Sequence, residues 1–352
     1  MPNSSDNHSA ALGPVMLDVA GSVLSDRERE RLRHPQVAGV ILFSKNHVNR
    51  SQLVELIDEI RSIRADLLLA VDQEGGRIQR FGSTLTDLPA AGWFGRHYLQ
   101  QPAETLLLLR ESAFLTGHEL AELGFDFSFA PVVDLDYGRS AVIGSRAYHR
   151  DPELVTVLAS AWIDGMRQVG MAAVGKHFPG HGWVSADSHL ELPEDERPLS
   201  DIIRQDLFPY ARLIDQLDAI MPAHVRYPAV DPLPAGFSAF WLRQLLRERL
   251  GFEGVIISDD LSMQGAVGMG DLIGRANAAL EAGCELLLLC NCGDEVDPLL
   301  RHLEQQRFQG STRLGRLRRA GIAAAAEQQQ RVLAAREALD RLRLQQRINN
   351  GA

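Results

Sequence analysis

Short apolar runs alternate with amphipathic stretches along most of the chain. Eight runs rich in Val, Leu, Ile, Met and Ala recur: Gly13 to Ala20, Val37 to Phe43, Leu67 to Val71, Phe125 to Val133, Gly170 to Gly175, Ala219 to Met221, Gly254 to Ser258 and Glu285 to Cys290. Unbroken apolar runs of this length suit strands of a parallel sheet covered on both faces. Between them lie helical patterns, such as Val54, Leu56, Ile57, Ile60 and Ile63, and the long stretch from Glu104 to Leu123. The alternation predicts an α/β fold, either a closed barrel or an open doubly wound sheet. The number of repeats and the polar clusters that follow nearly every run favour a (β/α)8 TIM-type barrel, which builds its site from the loops after the strands.

From about Thr312 the chain turns rich in Ala, Arg, Gln, Leu and Glu, which predicts a C-terminal helical extension with a frayed tail. Its apolar positions keep no strict heptad, so packing against the barrel is expected rather than a dimerising arm. No linker divides the chain. Residues 1–12 are expected to form a flexible N-terminus, and 13–352 a single catalytic domain that includes the C-terminal helices.

Composition narrows the class. With 45% apolar and 23% charged residues, the chain has what an ordinary globular core needs. A net charge of −10 argues against holding nucleic acid or anionic lipid by an overall field. No apolar run is long enough to span a bilayer and no signal-peptide pattern opens the chain, so a cytoplasmic monomer with no nucleic-acid or membrane partner is expected. The three cysteines, Cys284, Cys290 and Cys292, are odd in number and clustered, which is no disulfide framework. Cys290-Asn291-Cys292 lacks the second pair that a zinc site would need, and Cys290 reads as a buried strand residue. No metal and no cofactor is expected.

The chemistry concentrates after three of the runs. Asp72-Gln73-Glu74-Gly75-Gly76-Arg77, with Arg80 close behind, puts acids, glycines and arginines at a strand-to-helix junction. A carboxylate there can accept from adjacent sugar hydroxyls and an arginine can donate in a fixed fork, although a surface ion-pair turn would look the same. After the fourth run come Asp134, Asp136, Arg139 and Arg146; Arg146 is a candidate for holding substrate, or a partner of one of those acids. The fifth run opens into Gly175-Lys176-His177-Phe178-Pro179-Gly180-His181-Gly182, followed by Asp187-Ser188-His189. Lys176 lacks the following Ser or Thr of a phosphate-binding loop, and no HExxH helix is present. Asp187 and His189 project to one side of an extended loop, where a carboxylate beside imidazole makes a proton shuttle. Gly180 and Gly182 would leave that loop free to close. After the seventh run, Ser258-Asp259-Asp260-Leu261-Ser262-Met263 places two acids at a strand end, which suits catalysis, ligand binding or a metal. His224 is a further candidate for the same mouth.

Together these segments resemble glycoside hydrolase family 3, in particular its NagZ-type β-N-acetylhexosaminidases. The carrying motifs are DQEGGR at Asp72 to Arg77, FAPVVDLD at Phe129 to Asp136, KHFPGHG at Lys176 to Gly182 with DSH at Asp187 to His189, and SDDLSM at Ser258 to Met263, in family order across roughly residues 13 to 300. The resemblance implies a retaining mechanism. It makes Asp259 the nucleophile, His189 supported by Asp187 the acid and base, and Asp72, Arg80, Arg146, Lys176 and His177 the holders of the terminal sugar. It also implies a muropeptide substrate: N-acetylglucosamine cleaved from 1,6-anhydro-N-acetylmuramic acid, with or without peptide, in peptidoglycan recycling. The alternatives are a family-3 enzyme of β-glucosidase type, against which DSH argues, a metal-dependent barrel hydrolase using Asp259, Asp260, His177 and His181, and a silent sugar-binding barrel.

Overall fold

The computed structural model describes residues 11–185, 192–320 and 326–350. Eight parallel strands form one sheet: β1 (Val15–Asp18), β2 (Val37–Leu42), β3 (Leu68–Val71), β4 (Phe127–Ser128), β5 (Ala172–Phe178), β6 (Ala219–Pro222), β7 (Val255–Ile256) and β8 (Leu287–Leu289). Neighbours follow chain order from β1 to β7, and β8 returns to pair with β1. A parallel bridge between Ile257 and Leu286 joins the last two strands and closes the (β/α)8 barrel. All eight predicted runs thus become strands, each covered on both faces as their unbroken apolar character requires.

Local chemistry sets the connections. Ser25 and Glu28 form a reciprocal capping box at the helix Asp26–Arg33, and Asn49 caps the helix Arg50–Ile63. The helix Pro102–Leu123, expected from Glu104, ends at Gly124 with φ 96°. Gln264–Val267 and Leu272–Ala282 separate β7 from β8. After β6 the chain makes a short antiparallel hairpin, Arg226–Tyr227 with Asp231–Pro234, and then a π-helix, Phe240–Arg249. Neither was expected, because Pro228, Pro232 and Pro234 interrupt the one and π-helical spacing leaves no simple pattern in the other.

The C-terminal stretch begins as a 3-10 turn, Thr312–Leu317, and becomes the helix Ala326–Asn350, later than the boundary expected near 312. This helix lies on Pro102–Leu123: Val332, Ala335 and Leu339 are buried. Arg331 grips Glu111 and covers the Phe114 ring at 3.8 Å, and Arg336 pairs with Glu119. No described helix is long and apolar enough to cross a membrane.

Candidate active site

The clusters after β3, β4, β5 and β7 meet at the C-terminal end of the barrel around one cavity of about 460 Å³. Asp72, Arg80, Arg146, Lys176, His177 and Asp259 all line it. Asp187 and His189 lie outside the described residues.

The segment after β3 is shaped by its glycines. Gly75 and Gly76 adopt φ of 97° and 56°, and a Cβ would fall 2.5 Å from the Pro89 carbonyl oxygen at the first and 2.7 Å from the Ala90 Cβ at the second. Only glycine fits this turn. On either side of it Asp72, Glu74 and Arg80 face the cavity.

β5 runs three residues past its expected end, so Lys176 and His177 are strand residues rather than loop residues. The side chain of Lys176 is 3% exposed, with Nζ 2.9 Å from Asp72 Oδ1 and 2.6 Å from Glu74 Oε1. Arg80 binds the other oxygen of Asp72 at 3.0 Å, and Arg146 takes both oxygens of Glu74 at 2.8 Å. The partner of Arg146 is therefore Glu74, not an acid of its own loop. Burial alone would push the two carboxyls up; Lys176, seconded by Arg80 on Asp72 and by Arg146 on Glu74, outweighs it. Asp72 falls far below the ordinary carboxylate range and Glu74 drops to about 2. Two acids and three cations thus form a fixed charged floor. Within it the buried Nε of Arg80 meets no described acceptor.

His177 turns Nδ1 to Asp134 Oδ2 at 2.7 Å, and the His181 backbone N–H donates to Asp134 Oδ1 at 2.7 Å. Burial opposes charge on Asp134, but His177 and the His181 contacts hold its carboxyl below the usual value. With the carboxylate ionised, His177 Nδ1 donates. The neighbouring imidazole of His181 is pushed down to about 4, first by burial and then by His177.

Gly180 and Gly182 serve close packing rather than loop freedom. A Cβ on Gly182 would sit 1.8 Å from the Leu135 carbonyl oxygen, and one on Gly180 would meet Asp206 at 2.6 Å. Tyr227 donates its hydroxyl to the Gly180 carbonyl at 2.7 Å. Beyond them Trp183 lies between two guanidiniums, Arg139 at 4.3 Å and Arg197 at 4.4 Å from its ring. Arg197 is itself fixed by Asp195 and Asp206.

The two acids after β7 both line the cavity. Asp260 accepts from the Ser262 backbone at 2.9 Å, the Ser262 hydroxyl at 2.7 Å and the Cys290 backbone at 3.0 Å. Asp259 accepts the Asp260 N–H on Oδ1 at 2.8 Å and stands at the cavity wall. His224 does not reach the mouth: it is fully buried, with Nε2 3.0 Å from the Asp260 carbonyl oxygen and its ring stacked on Phe237. Sequence reasoning missed Glu74 and Asp134 as the anions that set Lys176, Arg146 and His177; their place beside the glycine turn and at the end of FAPVVD was the available signal. Among the described residues, no group of three or more His, Cys, Asp or Glu side chains is arranged to hold a metal ion.

A barrel whose strand ends bring anchored carboxylates and cations around one polar cavity defines an α/β-barrel enzyme for small hydroxyl-rich substrates. The glycosyl hydrolase family 3 N-terminal domain matches residues 14–332. A β-hexosaminidase of Bordetella avium is 52% identical over 294 residues, 83% of this chain and 84% of that protein. One from Pseudomonas aeruginosa is 51% identical over 312 residues, 88% and 92% of the two chains. The crystal structure of NagZ from Neisseria gonorrhoeae in complex with N-trifluoroacetyl-D-glucosamine superposes with a TM-score of 0.83 at 38% identity, over 93% of this chain and 98% of that one. The chain belongs to glycoside hydrolase family 3, as a β-hexosaminidase of the NagZ kind.

Proposed function

We propose that the enzyme releases terminal N-acetylglucosamine, with retention, from N-acetylglucosaminyl-1,6-anhydro-N-acetylmuramic acid with or without its peptide, as a cytoplasmic monomer in peptidoglycan recycling. In this reading residues 13–352 form one catalytic domain. Asp259 attacks the anomeric carbon while the bond to the aglycone oxygen breaks, and that oxygen takes a proton from His189. Water then adds to the same carbon, its proton passes to His189, and the bond to Asp259 opens to regenerate both groups. Asp187 positions the imidazole as a positioning residue. Asp72, Arg80, Arg146, Lys176 and His177 hold the hydroxyls of the sugar.

The observation that supports this most is the pair of acids after β7, which both line the cavity that the charged floor underlies, with Asp260 tied down by three donors from Ser262 and Cys290 and Asp259 beside it; the choice of Asp259 rests on the SDD motif and on the family. The ion-paired floor also fits a sugar, since its carboxylates keep lone pairs for hydroxyls. His189 and Asp187 rest on the DSH motif and on the family.

The test is to trap the intermediate with a 5-fluoro N-acetylglucosaminyl donor and map the labelled peptide. Label on Asp259 is expected; label on Asp260, or none despite inactivation, overturns the assignment. For the shuttle, His189→Ala is expected to spare a dinitrophenyl glycoside far more than a natural disaccharide, because an acidic phenol departs without a proton. Equal losses would remove His189 as the acid.

A further inference from the structure

Beside the reaction cavity lies a second one of about 650 Å³ that the reading above leaves unused. The segment from Gly138 to Arg146 separates them, and Ala141 borders both, so the two openings adjoin. Arg96, Arg139 and Arg150 line the second cavity, with Asp136 as the carboxylate among its lining residues. Three guanidiniums around one acid run against a chain whose net charge is −10.

Among the described residues these charges are not consumed by ion pairing. Arg96, Arg139 and Arg150 make no ion pair with a described residue, and Arg139 instead lies over the Trp183 ring at 4.3 Å. The carboxylate of Asp136 is turned to the Gly138 backbone N–H at 2.9 Å. His149, also on the wall, accepts the Asp151 N–H on Nδ1 at 3.0 Å, so its neutral ring carries the proton on Nε2 and offers one more donor. The wall is rich in donors and poor in acceptors, and the guanidinium fork matches a planar carboxylate.

We propose that this second cavity is a subsite for a carboxylate-bearing arm on the aglycone of the substrate. The inference rests on the glycosidase reading above, with the sugar in the first cavity, and adds which aglycones the enzyme prefers. Because the arginines are exposed, each contact is modest and screened by salt.

The test uses the full chain and N-acetylglucosaminides whose aglycones carry tethers of increasing length, ending in a carboxylate or in the matching amide. At low salt the acid is expected to exceed the amide in kcat/KM by about five- to tenfold at the best length, falling toward parity near 1 M salt. The double variant Arg96→Gln, Arg150→Gln should abolish the preference and leave hydrolysis of the nitrophenyl glycoside unchanged. Parity of acid and amide at every length, or a preference that survives in the double variant, overturns the subsite. If the wild type fails to cleave the nitrophenyl glycoside at all, the glycosidase reading fails, and the subsite falls with it.

Discussion

Replacing Lys176 by Met probes the charged floor with little change in volume. The ammonium touches Asp72 at 2.9 Å and Glu74 at 2.6 Å, and the side chain is 3% exposed. Removing one partner of a buried ion pair costs about 3–5 kcal/mol, because the remaining charge is left without compensation. Here Arg80 and Arg146 remain on the two acids, so the low end applies, about 3 kcal/mol. Linkage gives the same scale: moving Glu74 from its ordinary 4.5 to about 2 corresponds to on the order of 3 kcal/mol. The sign fixes the pH window. A carboxyl depressed in the folded state contributes its full stabilisation above its unfolded value and loses it as pH falls toward the folded one. The difference between wild type and Lys176→Met should therefore be greatest at pH 7 and narrow by roughly 1 kcal/mol near pH 3.5. Urea denaturation at the two pH values, with unchanged slope in denaturant, measures it. A cost under about 1 kcal/mol at pH 7, or one that does not vary with pH, would refute the claim that the lysine is what keeps these acids ionised.

Asp259→Asn should lower turnover by more than about a thousandfold with little change in melting, whereas Asp260→Asn should lose roughly 1–3 kcal/mol of stability through its Ser262 and Cys290 bonds; calorimetry beside a chromogenic assay separates the two. Because burial and then His177 bring His181 down to about 4 from 6.5, wild type should lose stability as pH falls through that interval, and His181→Gln should flatten the decline in a pH series of unfolding curves. Tyr227→Phe leaves the Gly180 carbonyl unpaired and should cost about 1–2 kcal/mol in chemical denaturation.

Much of the barrel is legible from the apolar runs because strands buried on both faces cannot tolerate polar interruption. β5 is the informative failure. Lys176 and His177 look like loop residues, yet they are buried strand residues whose polar groups are met by Asp72, Glu74 and Asp134 from the segments after β3 and β4. Such matching is a long-range fact that a local pattern does not carry. For the same reason the motif reading found Lys176 and Arg146 but not Glu74, which is what joins them. Gly180 and Gly182 misled in the opposite direction, since a glycine signals either freedom or crowding and only the neighbours decide which.

The barrel closes at a bridge between Ile257 and Leu286 rather than through a long ladder. Backbone bonds from Ser258 to Leu286, from Leu261 to Leu288 and from Glu285 to Ile256 continue that join, and two side chains extend it: the Ser258 hydroxyl receives the Leu288 N–H at 3.0 Å, and Asp260 receives that of Cys290. Deuterium uptake by these two amides would consequently act as a gauge of the acidic turn itself, slow while the turn is seated and quickening when it lifts.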